Sequence, residues 1–484
     1  MEKTSIDRDN PLRCELGVRK LPARWSRQWW VNGHVAIKRS LWLKLSTIQL
    51  IILFYLAAVA VSTVLLWLPI VHQPGVELHW IDALFTAASA ISVTGLTVVS
   101  IPETFNTFGI VLLIVMMQVG GVGLMMLSTF IWLLVGKKIG FRERQLIMTD
   151  QNRLALSGLV KLTRDIFFLI LAIEAVGALI LGVYFLRYFP TWPEALLQAV
   201  FASVSATTNA GFDITGQSLI PFAGDYFVQV IHIILIILGA IGFPVLIEVK
   251  EFLFARDRGR YRFSLFTKLT TVTFFALVFF GTVAIYALEW SHFFAGKPWH
   301  RSLFYALFQS VSSRSGGLAT MDMNEFSAPT LLLLSAMMFI GASPSSVGGG
   351  IRTTTLAVIL LTVWHYAKGR SAVKVFGREI HEEDILKSFV VFIGALFLCF
   401  AAVLALSVSE SSLPVVMLLF EVCSAFGTTG LSLGITSELS PFGKLVLVIV
   451  MFIGRVGIIS FLWLVRGRAV KDSYHYPKER VIIG

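Results

Sequence analysis

Long apolar stretches separated by short polar segments run along most of the chain. A helix needs about 20 mostly apolar residues to cross a bilayer. Eight stretches reach that length: 46–70, 107–135, 166–189, 224–248, 268–289, 329–365, 388–408 and 444–465. The pattern therefore predicts an all-α polytopic membrane protein with eight transmembrane helices.

The basic residues predict how these spans are oriented. Lys and Arg are enriched in the cytoplasmic loops of membrane proteins. Most of the 40 Lys and Arg residues fall before span 1, after span 8, or between spans 2 and 3, 4 and 5, and 6 and 7. We therefore expect a multi-pass protein of the inner (plasma) membrane with both termini in the cytoplasm. The same distribution accounts for the net charge of +11 without a nucleic-acid partner.

Composition argues against an enzyme. Charged residues make up only 14% of the chain and hydrophobic residues 56%, whereas soluble domains carry about 25% charged residues. A polytopic membrane enzyme, the alternative from another class, would need His, Asp, Glu or Cys clusters at membrane depth. The nine His are scattered, and the three Cys have no metal-binding spacing. We therefore expect no catalytic residues.

A Ser/Thr/Gly-rich signature recurs in every connection that is predicted to face the outside of the cell. The four copies align on Gly95, Gly211, Gly317 and Gly430, and each follows a short apolar run. As helices of roughly 15 Å, these runs reach only halfway into a bilayer: 81–91, 194–206, 302–313 and 414–425. We therefore expect four pseudo-symmetric membrane–pore-loop–membrane repeats, with four half-helices, around a central pore.

These units divide the chain into six segments. The first, 1–44, is a basic cytosolic arm. Its three Trp either lie on the anionic inner leaflet or belong to a partly disordered tail: Trp25, Trp29 and Trp30. The pore repeats and the cytosolic C-terminal tail follow at 45–140, 141–262, 263–378, 379–470 and 471–484.

The loops have the chemistry of a cation filter. Irregular backbone at membrane depth is tolerated only where it lines a water-filled cavity or is buried in protein. Rings of backbone carbonyls can replace the hydration shell of a cation, and half-helices direct the negative ends of their dipoles toward it. The candidate ion-binding residues are Ser92, Val93, Thr94, Gly95, Thr208, Asn209, Ala210, Gly211, Arg314, Ser315, Gly316, Gly317, Gly427, Thr428, Thr429 and Gly430.

From about residue 45 onward, the sequence resembles the Trk/Ktr/HKT superfamily of potassium transport proteins and is most similar to the bacterial KtrB-type membrane subunit. The motifs that carry the resemblance are Val93–Thr97, Asn209–Asp213, Ser343–Thr355 and Ser424–Ser432. The resemblance implies a potassium-selective, channel-like uptake transporter, the pore subunit of a Ktr-type system, with potassium at the filter carbonyls.

A sodium-conducting or sodium-coupled transporter of the same architecture is the alternative. In plant relatives of the superfamily, a Ser at the first filter position accompanies sodium preference. Gly95 occupies that position here and favours potassium. The third loop departs most from the superfamily pattern, since it reads Arg-Ser-Gly-Gly-Leu over 314–318 where Arg-Thr-Ala-Gly-Phe is common, but it keeps its aligned glycine.

The stretch 329–365 is too long for one simple span. Pro344 and three consecutive glycines in its middle would break a helix. It resembles the superfamily's intramembrane gating loop, which lies under the filter and obstructs the pore; a passive kink is the alternative. A loop with so few side chains needs polar anchors, and Arg455 offers a fork of donors. The candidate gating residues are Ser343, Ser345, Ser346, Gly348, Gly349, Gly350 and Arg455.

The resemblance also implies partners. KtrB-type subunits form homodimers and sit on a cytosolic ring of nucleotide-binding RCK-type regulatory subunits. This chain has no G-x-G-x-x-G after a predicted strand and no Walker loop, so we expect nucleotide to act only through that partner, with no covalently bound cofactor. The basic segments 250–268 and 368–387 and the C-terminal tail either dock the ring or only set topology. Membrane lipid is the remaining expected partner.

Overall fold

Helices form most of the described chain. The computed structural model describes residues 47–123, 159–255, 259, 261–466 and, in the tail, 474, 476, 477, 479 and 482. The predicted N-terminal arm and most of the connection between spans 2 and 3 lie outside these residues. The α-helices are α1 (Thr47–Trp67), α2 (Trp80–Ser92), α3 (Ile101–Thr104), α4 (Thr107–Val122), α5 (Leu159–Phe185), α6 (Trp192–Thr207), α7 (Tyr226–Ala240), α8 (Phe243–Phe254), α9 (Leu265–Glu289), α10 (Trp299–Ser312), α11 (Ala328–Ile340), α12 (Thr353–Ala367), α13 (Glu382–Ser409), α14 (Val415–Gly427), α15 (Pro441–Val456) and α16 (Ile458–Arg466). Short 3₁₀ turns cover Pro69–Val71, Ile220–Phe222, Met323–Glu325 and Ile435–Glu438.

Several of these helices suit a membrane. Among the described residues, α1, α5, α9 and α13 are each long and apolar enough to span one, and α7 with α8 forms a fifth candidate. The helices α2, α4, α11, α12 and α14 are apolar but shorter. The predicted helical membrane architecture is therefore present in its main outline, whereas the count of eight spans remains a prediction.

The outer faces of the long helices are apolar. Val183 on α5, Phe279 on α9 and Phe397 on α13 have exposed fractions of 68%, 72% and 68%. Large exposed apolar patches on a soluble protein mark interaction sites or aggregation hazards. Around a bundle of apolar helices, such side chains are suited to contact with lipid acyl chains.

Three predicted spans are interrupted within the part of the chain that the structure describes. The break within 329–365 is the one that Pro344 and the glycines predict, since α11 ends before it and α12 begins after it. The prediction of continuous helices is wrong for 224–248, where α7 and α8 meet at 105°, and for 444–465, which divides into α15 and α16.

Glycines with positive φ explain the two unpredicted breaks. Gly242 has φ 103° and Gly457 has φ 92°, conformations that residues with a side chain rarely adopt. Both glycines lie inside apolar stretches, and hydropathy alone carries no information about backbone conformation. Each helix therefore ends at a glycine that a hydropathy profile does not distinguish from its apolar neighbours.

A small hairpin departs from the all-α prediction. Strand β1 (Lys374–Val375) pairs antiparallel with β2 (Arg378–Glu379) in the basic segment before α13. The turn residues Phe376 and Gly377 have φ 49° and 75°, as the two central residues of a type I′ turn require. Strands of two residues are too short to produce an alternating pattern in the sequence.

The helices pack in a closed order. The short helices α2, α6, α10 and α14 each pack against the long helix that precedes them: α1, α5, α9 and α13. The helices that follow pack on the next short helix along the chain, α4 on α6, α7 on α10, and α11 on α14. Helix α15 then packs on α2, so the last segment returns to the first.

Candidate functional site

Four loops that are far apart in the sequence meet beyond the C-terminal ends of the short helices. A Cβ built on Gly95 would lie 2.9 Å from the Cα of Gly211, and one built on Gly211 would lie 3.0 Å from the Cα of Gly317. One on Gly430 would lie 3.1 Å from the Cα of Gly95. One on Gly317 would overlap the carbonyl oxygen of Thr429. The structure thus brings the four aligned glycines together.

We call these segments loop 1 (93–96), loop 2 (209–212), loop 3 (315–318) and loop 4 (428–431). They share one backbone conformation. The residue two positions before each aligned glycine has a positive φ: 58° at Val93, 52° at Asn209, 88° at Ser315 and 47° at Thr428. The glycines themselves have φ of 68° to 96°.

A left-handed conformation is unusual for residues with a side chain, most of all for β-branched ones such as Val93 and Thr428. It costs about 1–3 kcal/mol per residue and persists only where the surrounding structure imposes it, commonly at functional sites. Its occurrence at four equivalent positions shows that the loops are built alike. Of the four residues, only Asn209 is of a type that favours this conformation.

A serine near the end of each short helix holds the loop that follows. Ser89 Oγ accepts from the backbone N–H of Gly95 at 3.1 Å, and Ser424 Oγ accepts from that of Gly430 at 3.0 Å. In the other two loops, a serine hydroxyl donates to a carbonyl of the loop: Ser205 to Phe212 and Ser312 to Leu318, at 2.6 and 2.5 Å.

The carbonyls just before the aligned glycines form a second set of equivalent groups in the four loops. They belong to buried residues, and none accepts a hydrogen bond from a residue that the structure describes: Thr94, Ala210, Gly316 and Thr429. Each lies against the neighbouring loop; the Ala210 oxygen, for example, faces Gly95. Buried carbonyls without partners are rare in folded proteins. Four of them at one place, beside four helix C-termini, have the chemistry of a cation site.

The side chains of the candidate filter residues mostly bond within the protein. The Ser92 and Thr94 hydroxyls pair at 2.6 Å, Thr208 Oγ1 donates to the carbonyl of Val204 at 2.6 Å, and Ser315 Oγ donates to that of Thr428 at 2.8 Å. These hydroxyls therefore fix the loops, which leaves the backbone carbonyls as the candidate ligands.

The side chain of Arg314 forms its hydrogen bond outside loops 1–4. Its guanidinium is fully buried and donates to the carbonyl of Gly341 at the end of α11. Nε and Nη1 have no hydrogen-bond partner among the described residues. A positive charge is not a cation ligand, so the side chain of Arg314 is better described as an anchor of the loop that Gly341 begins.

Three arginines donate to carbonyls of that segment, which we call the α11–α12 loop (341–352). Arg455 bonds the carbonyl of Val347, as its predicted role requires, and also that of Gly120 on α4. Arg352 bonds the carbonyl of Gly348, and Arg314 bonds that of Gly341. Of these three arginines, only Arg455 was predicted as an anchor, because the sequence shows an intramembrane arginine but not which carbonyl its side chain reaches.

Two serines of the α11–α12 loop form hydrogen bonds that hold the loop in place. Ser346 Oγ donates to the carbonyl of Ser343 at 2.6 Å, and the Ser345 carbonyl accepts from the backbone N–H of Phe243 at 2.8 Å. The loop is therefore bonded to the start of α8 as well as to itself.

The α11–α12 loop lies directly against loops 3 and 4. A Cβ built on Gly348 would lie 2.7 Å from Cβ of Ser315, and one on Gly349 would lie 2.7 Å from Cγ2 of Thr428. Side chains larger than hydrogen do not fit there without movement. The structure therefore brings together the two predicted sets of residues, filter and gate.

Comparison with known proteins places the sequence in a family. A family model described as "TrkH: Cation transport protein" matches residues 38–472. The Ktr system potassium uptake protein D of Bacillus subtilis is 59% identical over 440 residues, which cover 91% of this chain and 98% of that protein. The potassium/sodium uptake protein NtpJ of Enterococcus hirae is 33% identical over 447 residues, 91% of this chain and 98% of that protein.

A solved structure shares the fold. The crystal structure of the potassium transporter TrkH from Vibrio parahaemolyticus matches with a TM-score of 0.69, covering 87% of this chain and 85% of that chain. The sequence identity is 18%, so this likeness concerns the fold alone.

Proposed function

Because the chain belongs to the TrkH family of cation transport proteins, we propose that it is the potassium-conducting membrane subunit of a Ktr-type uptake system. The family membership confirms the resemblance predicted from the loop motifs. The chain is a membrane transport protein rather than the polytopic enzyme considered above, since its relatives are transport proteins.

The observation that carries the proposal is the set of four carbonyls that accept no hydrogen bond from a described residue, at Thr94, Ala210, Gly316 and Thr429. A potassium ion that enters a narrow pore must lose water ligands, and carbonyl oxygens can take their place. The C-termini of α2, α6, α10 and α14 add a negative potential at the same point. Residues 92–95, 208–211, 314–317 and 427–430 would form the filter through their backbone.

The proposed architecture is four repeats of membrane helix, half-helix, loop and membrane helix around this pore, eight transmembrane helices in all. The closed packing order, in which α15 returns to α2, supports it. The basic connections would face the cytoplasm, with both termini on that side. The filter then lies toward the outside and the α11–α12 loop beneath it.

We further propose that the α11–α12 loop gates the pore under the control of a cytosolic RCK-type regulatory ring on which a homodimer of this chain sits. The loop's contacts with loops 3 and 4 support the gating role. The name of the Bacillus subtilis relative, a protein of a "Ktr system", supports a multi-component assembly. Any nucleotide would act through the partner.

Growth and flux test the proposal. A bacterium that lacks potassium uptake should grow on low-potassium medium when it expresses the chain with its regulatory subunit. Purified protein in liposomes should pass potassium and rubidium in preference to sodium. Equal sodium and potassium flux would favour the sodium-conducting alternative. The name of the Enterococcus relative, a potassium/sodium uptake protein, is consistent with that alternative. Growth and flux no better than those of empty controls would exclude both functions.

A further inference from the structure

A basic cavity lies beside the segment that leads into α9. It has a volume of about 220 Å³ and lies between the start of α9 and the β1–β2 hairpin. A cavity needs only ~10–15 Å³ of such volume to hold one water molecule. Its lining includes Arg262, Phe263, Lys268, Phe376 and Arg378. The cavity therefore combines three positive charges with two aromatic rings.

The positive charges of the cavity have no ionic partner among the residues that the structure describes. No ion pair among the described residues involves Arg262, Lys268 or Arg378. Two carboxylates of the adjacent α8 accept hydrogen bonds from other groups. Glu248 accepts from the backbone N–H of Ser264, and Glu251 accepts from the hydroxyl of Tyr261. Neither lines the cavity. The site is therefore suited to an anion.

An apolar stripe leads away from the cavity along α9. Val272, Phe275 and Phe279 follow Lys268 at helical spacings of four, three and four residues, so the four side chains share one face. The exposed fractions of the three apolar residues are 57%, 46% and 72%. Eleven residues of helix are about 16 Å long, close to half of the ~30 Å hydrocarbon core.

We propose that this cavity and stripe bind one anionic phospholipid, with the headgroup phosphate among Arg262, Lys268 and Arg378 and an acyl chain along α9. Arginine forks bond phosphate oxygens in pairs, and Phe263 and Phe376 would lie at the level where headgroups meet acyl chains. A soluble anion leaves the stripe uncovered, and a cytosolic protein cannot reach along it into the bilayer. Because the apolar stripe begins directly at the basic cavity, the surface favours a lipid over a soluble anion or a cytosolic protein.

Binding of phosphatidylglycerol to the purified, delipidated full-length chain tests the inference. Native mass spectrometry would count bound lipid as its concentration is raised. The site variant is the triple substitution Arg262→Gln, Lys268→Gln and Arg378→Gln. The matched control removes three other exposed positive charges by Lys161→Gln, Lys250→Gln and Arg370→Gln. A second variant, Phe275→Ala with Phe279→Ala, shortens the stripe and leaves the charges intact.

We expect the site variant to weaken phosphatidylglycerol binding by about 10- to 100-fold, and the stripe variant to weaken it several-fold. The control should bind like the wild type, phosphatidylcholine should bind more weakly, and inorganic phosphate should not displace the lipid. The inference is overturned if the site variant and the control lose equal affinity. It is also overturned if inorganic phosphate displaces the lipid, because the site would then serve a soluble anion. All substituted side chains are exposed, and an unchanged elution profile would confirm folding.

Discussion

The backbone N–H of Gly349 donates a hydrogen bond of 2.6 Å to the hydroxyl oxygen of Thr428. The carbonyl of Thr428 accepts in turn from Ser315 Oγ at 2.8 Å. One residue of loop 4 thus joins the α11–α12 loop to loop 3 through both its side chain and its backbone. Movement of the α11–α12 loop away from the four loops must break the bond to Gly349.

Thr428→Val should loosen the α11–α12 loop. Val93 occupies the equivalent position of loop 1 at φ 58°, close to the 47° of Thr428, so valine fits this backbone. The substitution leaves the buried N–H of Gly349 without an acceptor, at a cost of about 1–3 kcal/mol. If the loop obstructs the pore, rubidium influx into liposomes without the regulatory subunit should rise several-fold.

Thr428→Ser is the control for this prediction, because it keeps the hydroxyl and loses only a methyl group. Its influx should stay within about twofold of the wild type. Equal influx through the Val and Ser variants would show that the hydrogen bond to Gly349 does not hold the pore closed.

Substitution of the aligned glycines should lower selectivity in a defined order. At Gly430 and Gly95, the first carbon of a serine side chain would overlap a neighbouring carbonyl oxygen, that of Thr94 or Ala210. At Gly211 the nearest atom lies 3.0 Å away. All three have a positive φ, so strain adds to the overlap. The potassium-to-sodium flux ratio should fall most for Gly430→Ser and Gly95→Ser, and less for Gly211→Ser.

Gly224→Ser is the matched control. A Cβ at that position meets no atom within 4 Å, and φ is not positive. Its flux ratio should equal that of the wild type. Unchanged ratios in all four variants would exclude loops 1, 2 and 4 as the filter.

Much of this site was accessible from the sequence, and the reason is physical. The ends of the short helices fall within a few residues of their predicted places, because an apolar run that stops at a Ser/Thr/Gly segment marks a change of backbone. The left-handed conformation of Val93 and Thr428 was not accessible, since β-branched residues disfavour it. It depends on hydrogen bonds to the preceding helix and on contacts between loops that are distant in sequence.

The arginine anchors show the same limit. An arginine in an apolar segment predicts a partner at membrane depth, and Arg455 meets that expectation. Which carbonyls accept depends on how α11, α12 and α15 pack. Arg314 was therefore predicted only as a filter residue, and the hydrogen bond from its side chain to the carbonyl of Gly341 was not predicted. Hydropathy likewise did not predict the helix break at Gly242.

Arg455→Gln should raise basal flux only in part. The substitution replaces the guanidinium that bonds both Val347 and Gly120 by a shorter side chain with a single N–H₂ group, which cannot keep both bonds. Arg352 and Arg314 still bond the α11–α12 loop. We expect a flux increase of about two- to tenfold without the regulatory subunit, with the potassium-to-sodium ratio unchanged. Potassium efflux from loaded liposomes, with and without that subunit, measures both quantities.

Removal of two anchors should exceed removal of one, so Arg455→Gln with Arg352→Gln should conduct more than either single variant. Deleting Val347–Gly350 should have the largest effect, because it removes the obstruction itself. If the deletion and the double variant conduct like the wild type and remain fully regulated, the loop is a passive kink.

Cysteine labelling should give opposite results at the two ends of α7–α8. Gly224 and Lys250 are both exposed, and the basic-residue distribution predicts the first outside and the second inside. In a background lacking Cys14, an impermeant thiol reagent added to intact cells should label Gly224→Cys and not Lys250→Cys. Cys399 and Cys423 are buried, so they should not react. Equal labelling of both positions in intact cells would contradict the proposed orientation.

Neutralising Arg314 should separate its charge from its hydrogen bond. A buried guanidinium repels a cation in the adjacent filter, and the repulsion is strong where the effective dielectric constant is low. Arg314→Gln removes the charge but keeps an N–H₂ donor for the carbonyl of Gly341. Arg314→Met removes both and leaves that carbonyl without its donor.

We therefore expect Arg314→Gln to raise potassium flux several-fold while the regulatory subunit still closes the pore. Arg314→Met should raise flux further and reduce closure, because the end of the α11–α12 loop is released. Both quantities follow from rubidium influx measured with and without the regulatory subunit. Flux through Arg314→Gln equal to that of the wild type would show that the charge is no barrier. Full closure of Arg314→Met would show that the bond to Gly341 does not support the gate.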